Sequence, residues 1–124
     1  MNYRDLENWR IADDQVVEIY DLTLNHIPGF EKFQLGNQIR RSIVSVKANI
    51  VEGYGRRIYP QEYLRFLIIA QGSLDETSDH LSTLFRTGSI KDKKKYEELN
   101  ERLDKLGRKL NMFIQSIRRS NNAK

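Results

Sequence analysis

The sequence predicts an all-α fold, an antiparallel up-down-up-down four-helix bundle, and three observations carry that expectation. Apolar residues recur at spacings of three and four along separate stretches of the chain. The only two prolines, Pro28 and Pro60, fall where one such stretch hands over to the next. No stretch alternates apolar and polar residues as a half-buried strand would. At 124 residues the chain reads as a single domain spanning 1–124. A domain of this size buries roughly two-thirds of its unfolded surface, so it needs no disulfide or metal to fold.

Each helix has its own signals. The first is expected at about 6–27, capped by Asp5, with Trp9, Val16, Tyr20, Leu24 and Ile27 inward and Pro28-Gly29 as its stop. The second runs over about 35–55, with Ile39, Ile43, Val46 and Ile50 as its stripe. Past Glu52, Gly53 and Gly55 break or loosen it, permitting positive φ or a close chain approach. The third occupies about 60–87. Pro60 suits its first position, Glu62 its acid-favouring first turn, and Gly88 its end. Leu64, Leu67, Gln71, Leu74, Ser78, Leu81 and Phe85 line one face, leaving Phe66 and Ile69 outside it. The fourth, about 92–119 with Asp92 as N-cap, has the cleanest stripe: Tyr96, Leu99, Leu103, Leu106, Leu110, Phe113 and Ile117. The polar tail from Ser120 to Lys124 is expected to fray. A hairpin of the last two helices sets Gly72 opposite Gly107, which would mark a close helix approach.

Composition closes off several kinds of chemistry. There are no cysteines, which removes disulfide frameworks, thiolate zinc sites and thiol nucleophiles together. His26 and His80 are the only histidines. Glu76 and His80 share a helix face, but the repeated Glu-x-x-His pattern of a di-iron bundle is absent. Asp13-Asp14 and Asp75-Glu76 are adjacent pairs pointing about 100° apart, as solvated carboxylates do. Gly53-Tyr54-Gly55 is too short for a phosphate-binding loop. We therefore expect no enzyme, no cofactor and no metal. The longest apolar run, Phe66 to Ala70, is far too short for a membrane span, and Met1 to Asp5 contains no signal-like apolar run. The chain is expected to be cytoplasmic, with no membrane partner.

Charge is distributed more informatively than its total of +4 suggests. Residues 1–31 carry two basic and seven acidic groups, net −5, and residues 32–59 six and one, net +5. Residues 60–87 carry two and four, net −2, and residues 88–124 eleven and five, net +6. Acidic and basic helices thus alternate. One reading is matching between neighbouring helices, each exposed pair contributing about 0–1 kcal/mol. The other is a basic surface for a polyanion, built from Arg40, Arg41, Lys47, Arg56 and Arg57 with Lys105, Arg108, Lys109, Arg118 and Arg119. Tyr54 and Tyr59 stand beside the first cluster, where they could stack on unpaired bases.

Specific strings add to the periodicity. Arg4-Asp5-Leu6-Glu7-Asn8-Trp9, Gln38-Ile39-Arg40-Arg41-Ser42, Ser45-Val46 and Asn49-Ile50-Val51-Glu52-Gly53-Tyr54-Gly55-Arg56 occur in that order. Glu62-Tyr63-Leu64-Arg65-Phe66-Leu67 and Ala70-Gln71-Gly72-Ser73-Leu74-Asp75-Glu76 follow. Together they resemble a family of bacterial proteins encoded in intervening sequences of 23S ribosomal RNA genes. Lys47 departs from that pattern, which commonly has proline there, so a kink in the second helix does not carry over. The resemblance implies an up-down-up-down bundle, often a homopentameric ring. It also implies kinship with the accessory protein of diversity-generating retroelements, which associates with a reverse transcriptase and with nucleic acid.

Function at this level is expected to be a non-catalytic oligomeric adaptor for RNA or DNA, the alternative being a protein–protein scaffold with no nucleic-acid role. Trp9, Phe66 and Ile69 are the expected contacts between copies. Asn49 and Glu52 are expected to hydrogen-bond the backbone of a neighbouring helix or loop.

Overall fold

The computed structural model describes residues 2–122, and among them every regular element is helical. The four long helices are α1 (Glu7–Asn25), α2 (Leu35–Gly55), α3 (Pro60–Arg86) and α4 (Lys93–Asn122). A 3-10 turn, Tyr3–Asp5, precedes α1, and a one-turn helix, Gly29–Lys32, bridges α1 and α2. Each long helix makes its main contacts with its neighbours around the bundle: α1 with α2 and α4, α3 with α2 and α4. Short connections force consecutive helices to run antiparallel, giving the up-down-up-down order.

Local chemistry accounts for the helix ends. Asp5 does not cap α1. Its carboxylate accepts from the Asn2 backbone N–H at 3.0 Å, while Asn2 Oδ1 accepts from Arg4, closing a reciprocal cap on the 3-10 turn. Asp92 caps α4 as expected, its Oδ1 accepting from the Lys95 N–H at 3.1 Å. At the end of α3, Gly88 adopts φ +86°, and Ile90 and Gly88 donate back to the Leu84 and Phe85 carbonyls. Phe85 stacks on Tyr96 with ring centroids 4.3 Å apart, clamping the α3–α4 hairpin. Helix α2 ends at Gly55 as expected, but it runs through Gly53 unbroken and without positive φ. One boundary changes: α4 stays helical past Ser120 to Asn122. The remainder of the expected frayed tail, Ala123 and Lys124, lies outside the described residues.

The core is a column of Ile and Leu side chains in which Ile19, Ile39, Ile43, Ile50, Leu67, Leu81, Leu84, Leu99, Leu103, Leu106, Leu110 and Ile114 are fully buried. The α2 stripe is buried as read from the sequence, and so is most of the α4 stripe. The α1 stripe is buried only in part: Ile27 is buried and Trp9 and Val16 pack half-buried against the core, whereas Tyr20 and Leu24 are exposed. The face that α1 buries is Asn8, Ala12, Gln15, Ile19, Leu22 and Thr23. At about 100° per residue, the inward face is turned by roughly one residue from the expected one. Ala12 and Thr23 are small enough to let α1 sit close to the bundle, and the larger side chains move to its flank. On α3 the expected Leu64, Leu67, Leu74 and Leu81 are buried, joined by Tyr63, Ala70, Thr77 and Leu84, while Gln71, Ser78 and Phe85 lie at the margin.

Helices α2 and α3 meet along a seam of small polar residues. Thr77 donates to Ser42 at 2.8 Å, Ser45 and Ser73 are 2.8 Å apart, and a Cβ on Gly53 would lie 3.1 Å from Phe66 Cβ. The close approach expected near Gly53 is therefore real and needs no special backbone. Gly72 and Gly107 are not required by packing: a Cβ on Gly72 meets nothing, and one on Gly107 rests 3.5 Å from Leu74, an ordinary contact. Gly72 therefore carries only the backbone-entropy cost of glycine in a helix. Gly72→Ala is expected to stabilise the fold by about 0.5–1 kcal/mol. Denaturant midpoints of the two chains check this, and a lower midpoint in the variant would mean that Gly72 is packed against something.

Candidate nucleic-acid interface

Antiparallel topology puts the C-termini of α2 and α4 at the same end of the bundle as the N-termini of α1 and α3. Arg56-Arg57 and Arg118-Arg119, well separated in sequence, are thereby brought to one end. The ten basic residues do not form one surface, however. They divide by what they already touch.

Arg40 is a structural residue. It is only 7% exposed, with Nη1 donating to Thr23 Oγ1 at 2.8 Å and Nη2 to the Lys32 carbonyl at 2.7 Å. Lys47 donates to Asp13 at 2.7 Å and lies 5.5 Å from the Trp9 ring, tying α2 to α1. Lys109 pairs with Glu7 at 2.9 Å, and that bond holds the Glu7 carboxyl below the usual carboxylate range. Arg102 pairs with Glu18 farther along the same α1–α4 contact. Lys47, Lys109 and Arg102 thus match basic helices to acidic α1, whereas Arg40 ties α2 to α1 and to the intervening turn through neutral oxygens.

The others are differently placed. Arg56 bridges Glu52 at 2.9 Å and Glu62 at 3.7 Å, with its guanidinium over Phe66. Arg57 stacks 4.0 Å from the centroid of Tyr54 and donates to the Tyr54 carbonyl at 2.9 Å. Among the described residues Arg41, Arg57, Lys105, Arg108, Arg118 and Arg119 form no ion pair. A groove of about 600 Å³ between α3 and α4 is lined by Arg65, Ile68, Ile69 and Arg118. Nothing in the sequence marks Arg65 and Ile68 as special. Period alone places both on the outer side of α3, and only the position of α4 makes that side a groove.

The tyrosines also separate. Tyr54 is buried, whereas Tyr59 is 62% exposed next to Ile58. Tyr63, buried edge-on against Phe113, has its phenol pushed up to about 12, chiefly by burial and secondarily by Tyr54. A phenol held neutral in this way packs rather than exchanging protons. Asn49 donates to the Ser45 carbonyl of its own helix and Glu52 accepts from the Arg56 side chain just past the helix end; neither bonds a neighbouring backbone as expected. His80 lies 3.8 Å from Glu76, and among the described residues no three potential metal ligands gather. No helix among them is long and apolar enough to cross a membrane.

Of the expected inter-copy contacts, Ile69 is exposed and Phe66 is partly covered by Arg56 and Arg65. Trp9 is half-buried edge-on to Tyr3, its indole N–H buried without a partner. The rotation of α1 exposes a further stripe, Val17, Tyr20 and Leu24, at spacings of three and four.

Comparison with known proteins gives two findings. Residues 4–112 match the family model described as 23S rRNA-intervening sequence protein. A crystal structure of a protein of unknown function from the S23 ribosomal protein family of Bacteroides thetaiotaomicron superposes with a TM-score of 0.78 at 26% identity, covering 86% of this chain and 97% of that one. No curated protein matches the chain.

Proposed function

The chain belongs to the 23S rRNA-intervening sequence protein family, and from that premise we propose that it is a non-catalytic, oligomeric adaptor that holds nucleic acid against the arginine-bearing end of its bundle. One observation carries this reading: Arg57 on the α2–α3 turn and Arg118 and Arg119 on α4 stand at one end without acidic partners among the described residues. Cations that pair internally are already neutralised, whereas unpaired ones leave a field that attracts phosphates. Assembly through the exposed α1 stripe and the Ile68–Ile69 groove would repeat that end in each copy. Part of the Arg118-Arg119 charge also answers the α4 dipole, but a helix C-terminus requires no second cluster beside it.

The protein–protein scaffold is the second reading. It is favoured by the Lys47–Asp13, Lys109–Glu7 and Arg102–Glu18 pairs, in which basic groups serve the bundle itself. Charge reversal of both Arg118 and Arg119 to Glu separates the two. The adaptor reading expects weaker RNA binding and a shallower salt dependence, by about 0.7–0.9 log units for each phosphate no longer neutralised, at an unchanged melting temperature. A lowered melting temperature with unaltered RNA affinity would leave the scaffold standing instead.

A further inference from the structure

The loop between α2 and α3 presents a combination that neither packing nor internal pairing explains. Ile58 and Tyr59 are 76% and 62% exposed at the tip of a three-residue turn plus cap. Their backbone is nonetheless well tied. Arg57 N–H donates to the Tyr54 carbonyl at 3.2 Å, Tyr59 N–H to Arg56 at 2.9 Å, and Tyr63 N–H to Tyr59 at 3.0 Å. A ring held out on such a turn loses little further backbone freedom when something packs on it.

Arg57 stands two residues away and is itself fixed. Stacking on Tyr54 and the bond to the Tyr54 carbonyl hold the guanidinium with no carboxylate to neutralise it. Its remaining N–H donors suit a phosphate. The α3 N-terminus beside it is an inferior phosphate site, because Glu62 already occupies the first turn. An unpaired guanidinium held on Tyr54, two residues from an exposed aromatic residue on a hydrogen-bonded turn, supplies contacts for the two parts of a nucleotide, its phosphate and its base. Duplexes keep base faces stacked away from side chains, whereas single strands offer them.

Building on the nucleic-acid reading above, we infer that the α2–α3 turn is a single-strand contact, in which Tyr59 stacks on an unpaired base while Arg57 holds the adjoining phosphate. Ile58 widens the apolar platform beside the ring. Arg118 and Arg119 supply attraction that ignores strandedness, and Tyr59 supplies the preference for unpaired bases. The two contributions are separable by mutation.

The test measures binding of an oligothymidylate and of a duplex of equal length, at one salt concentration, to the full chain and to Tyr59→Ala and Tyr59→Phe. We expect the full chain to favour the single strand. Tyr59→Ala should weaken that binding about tenfold, the lower part of the range for one base–aromatic stack, and leave duplex binding unchanged. Tyr59→Phe should retain single-strand affinity, since the ring and not the hydroxyl makes the contact. Equal loss for both polymers, or no loss for either, overturns the inference while leaving the Arg118-Arg119 reading intact. Failure of the unaltered chain to bind either polymer sinks both. Partition onto anionic-lipid vesicles in preference to oligonucleotide, or a change in assembly mass on Tyr59→Ala, assigns the turn to a membrane or to a second copy and likewise overturns it.

Discussion

Arg40→Leu is expected to lower stability by about 2–3 kcal/mol, roughly a 10 °C fall in melting temperature for a domain of this size, without altering nucleic-acid affinity. The guanidinium links three elements, donating to Thr23 on α1 and to the carbonyl of Lys32 from its own place on α2. Gly36 makes room for it: a Cβ there would lie 3.3 Å from Arg40 Nη1 and 2.8 Å from the Glu31 carbonyl. Leucine fills much of the volume but satisfies neither oxygen, and each buried acceptor left unpaired costs about 1–3 kcal/mol. Two effects reduce the total. Thr23 keeps its own bond to the Ile19 carbonyl, and removing a buried cation that has no carboxylate partner relieves a desolvation cost. Thermal melts and salt-titrated RNA binding on the same variant check this expectation. A chain that keeps its melting temperature and loses RNA affinity would return Arg40 to the interface.

Ile19→Ala is expected to cost about 3–4 kcal/mol, whereas Leu24→Ala costs under about 1 kcal/mol of fold stability. Both remove branched apolar side chains from the same helix. Ile19 is fully buried and its loss leaves a cavity, while Leu24, 39% exposed, faces largely outward. Leu24 lies on the Val17–Tyr20–Leu24 stripe, so its truncation should instead reduce the mass that light scattering measures at micromolar concentration. Stabilities must be compared at one chain concentration, because assembly shifts the apparent midpoint. A larger stability loss for Leu24→Ala than for Ile19→Ala would restore the face expected from the sequence. A mass that matches a monomer before any mutation would remove the α1 stripe as a contact between copies.

Whether a helix was legible depended on how strongly its residues discriminate between faces. In α4 the gaps between Leu99, Leu103, Leu106 and Leu110 are filled by charged and polar side chains and Gly107, leaving one rotation that buries apolar surface. In α1, large apolar residues lie on two sides, Ile19 and Leu22 inward and Val17, Tyr20 and Leu24 outward. Hydrophobicity favoured Trp9, Tyr20 and Leu24, while fit against α2 and α4 required Ala12, Gln15 and Thr23. Buried Gln15 and Thr23 gave no apolar signal at all. Thr23 is tolerated because its hydroxyl donates to the Ile19 carbonyl and accepts from Arg40. Gln15 is satisfied only in half: its amide N–H donates to Glu18, while Oε1 is buried without a partner.

The sequence by itself determined the helical class, the number of long helices and the alternation of acidic with basic segments. These follow from spacing, breakers and composition, which are local properties of the chain. Its ordered strings also identified the family. It could not divide the ten basic residues, because pairing is set by neighbours distant in the chain. Lys47 meets Asp13, and Lys109 meets Glu7, only once the helices are side by side. Antiparallel packing likewise brings Arg56-Arg57 and Arg118-Arg119 to one end, and depth in the bundle separates buried Tyr54 from exposed Tyr59. Whether a cation or a ring is free to meet a partner depends on what the fold has already placed against it, and tertiary structure alone decides that.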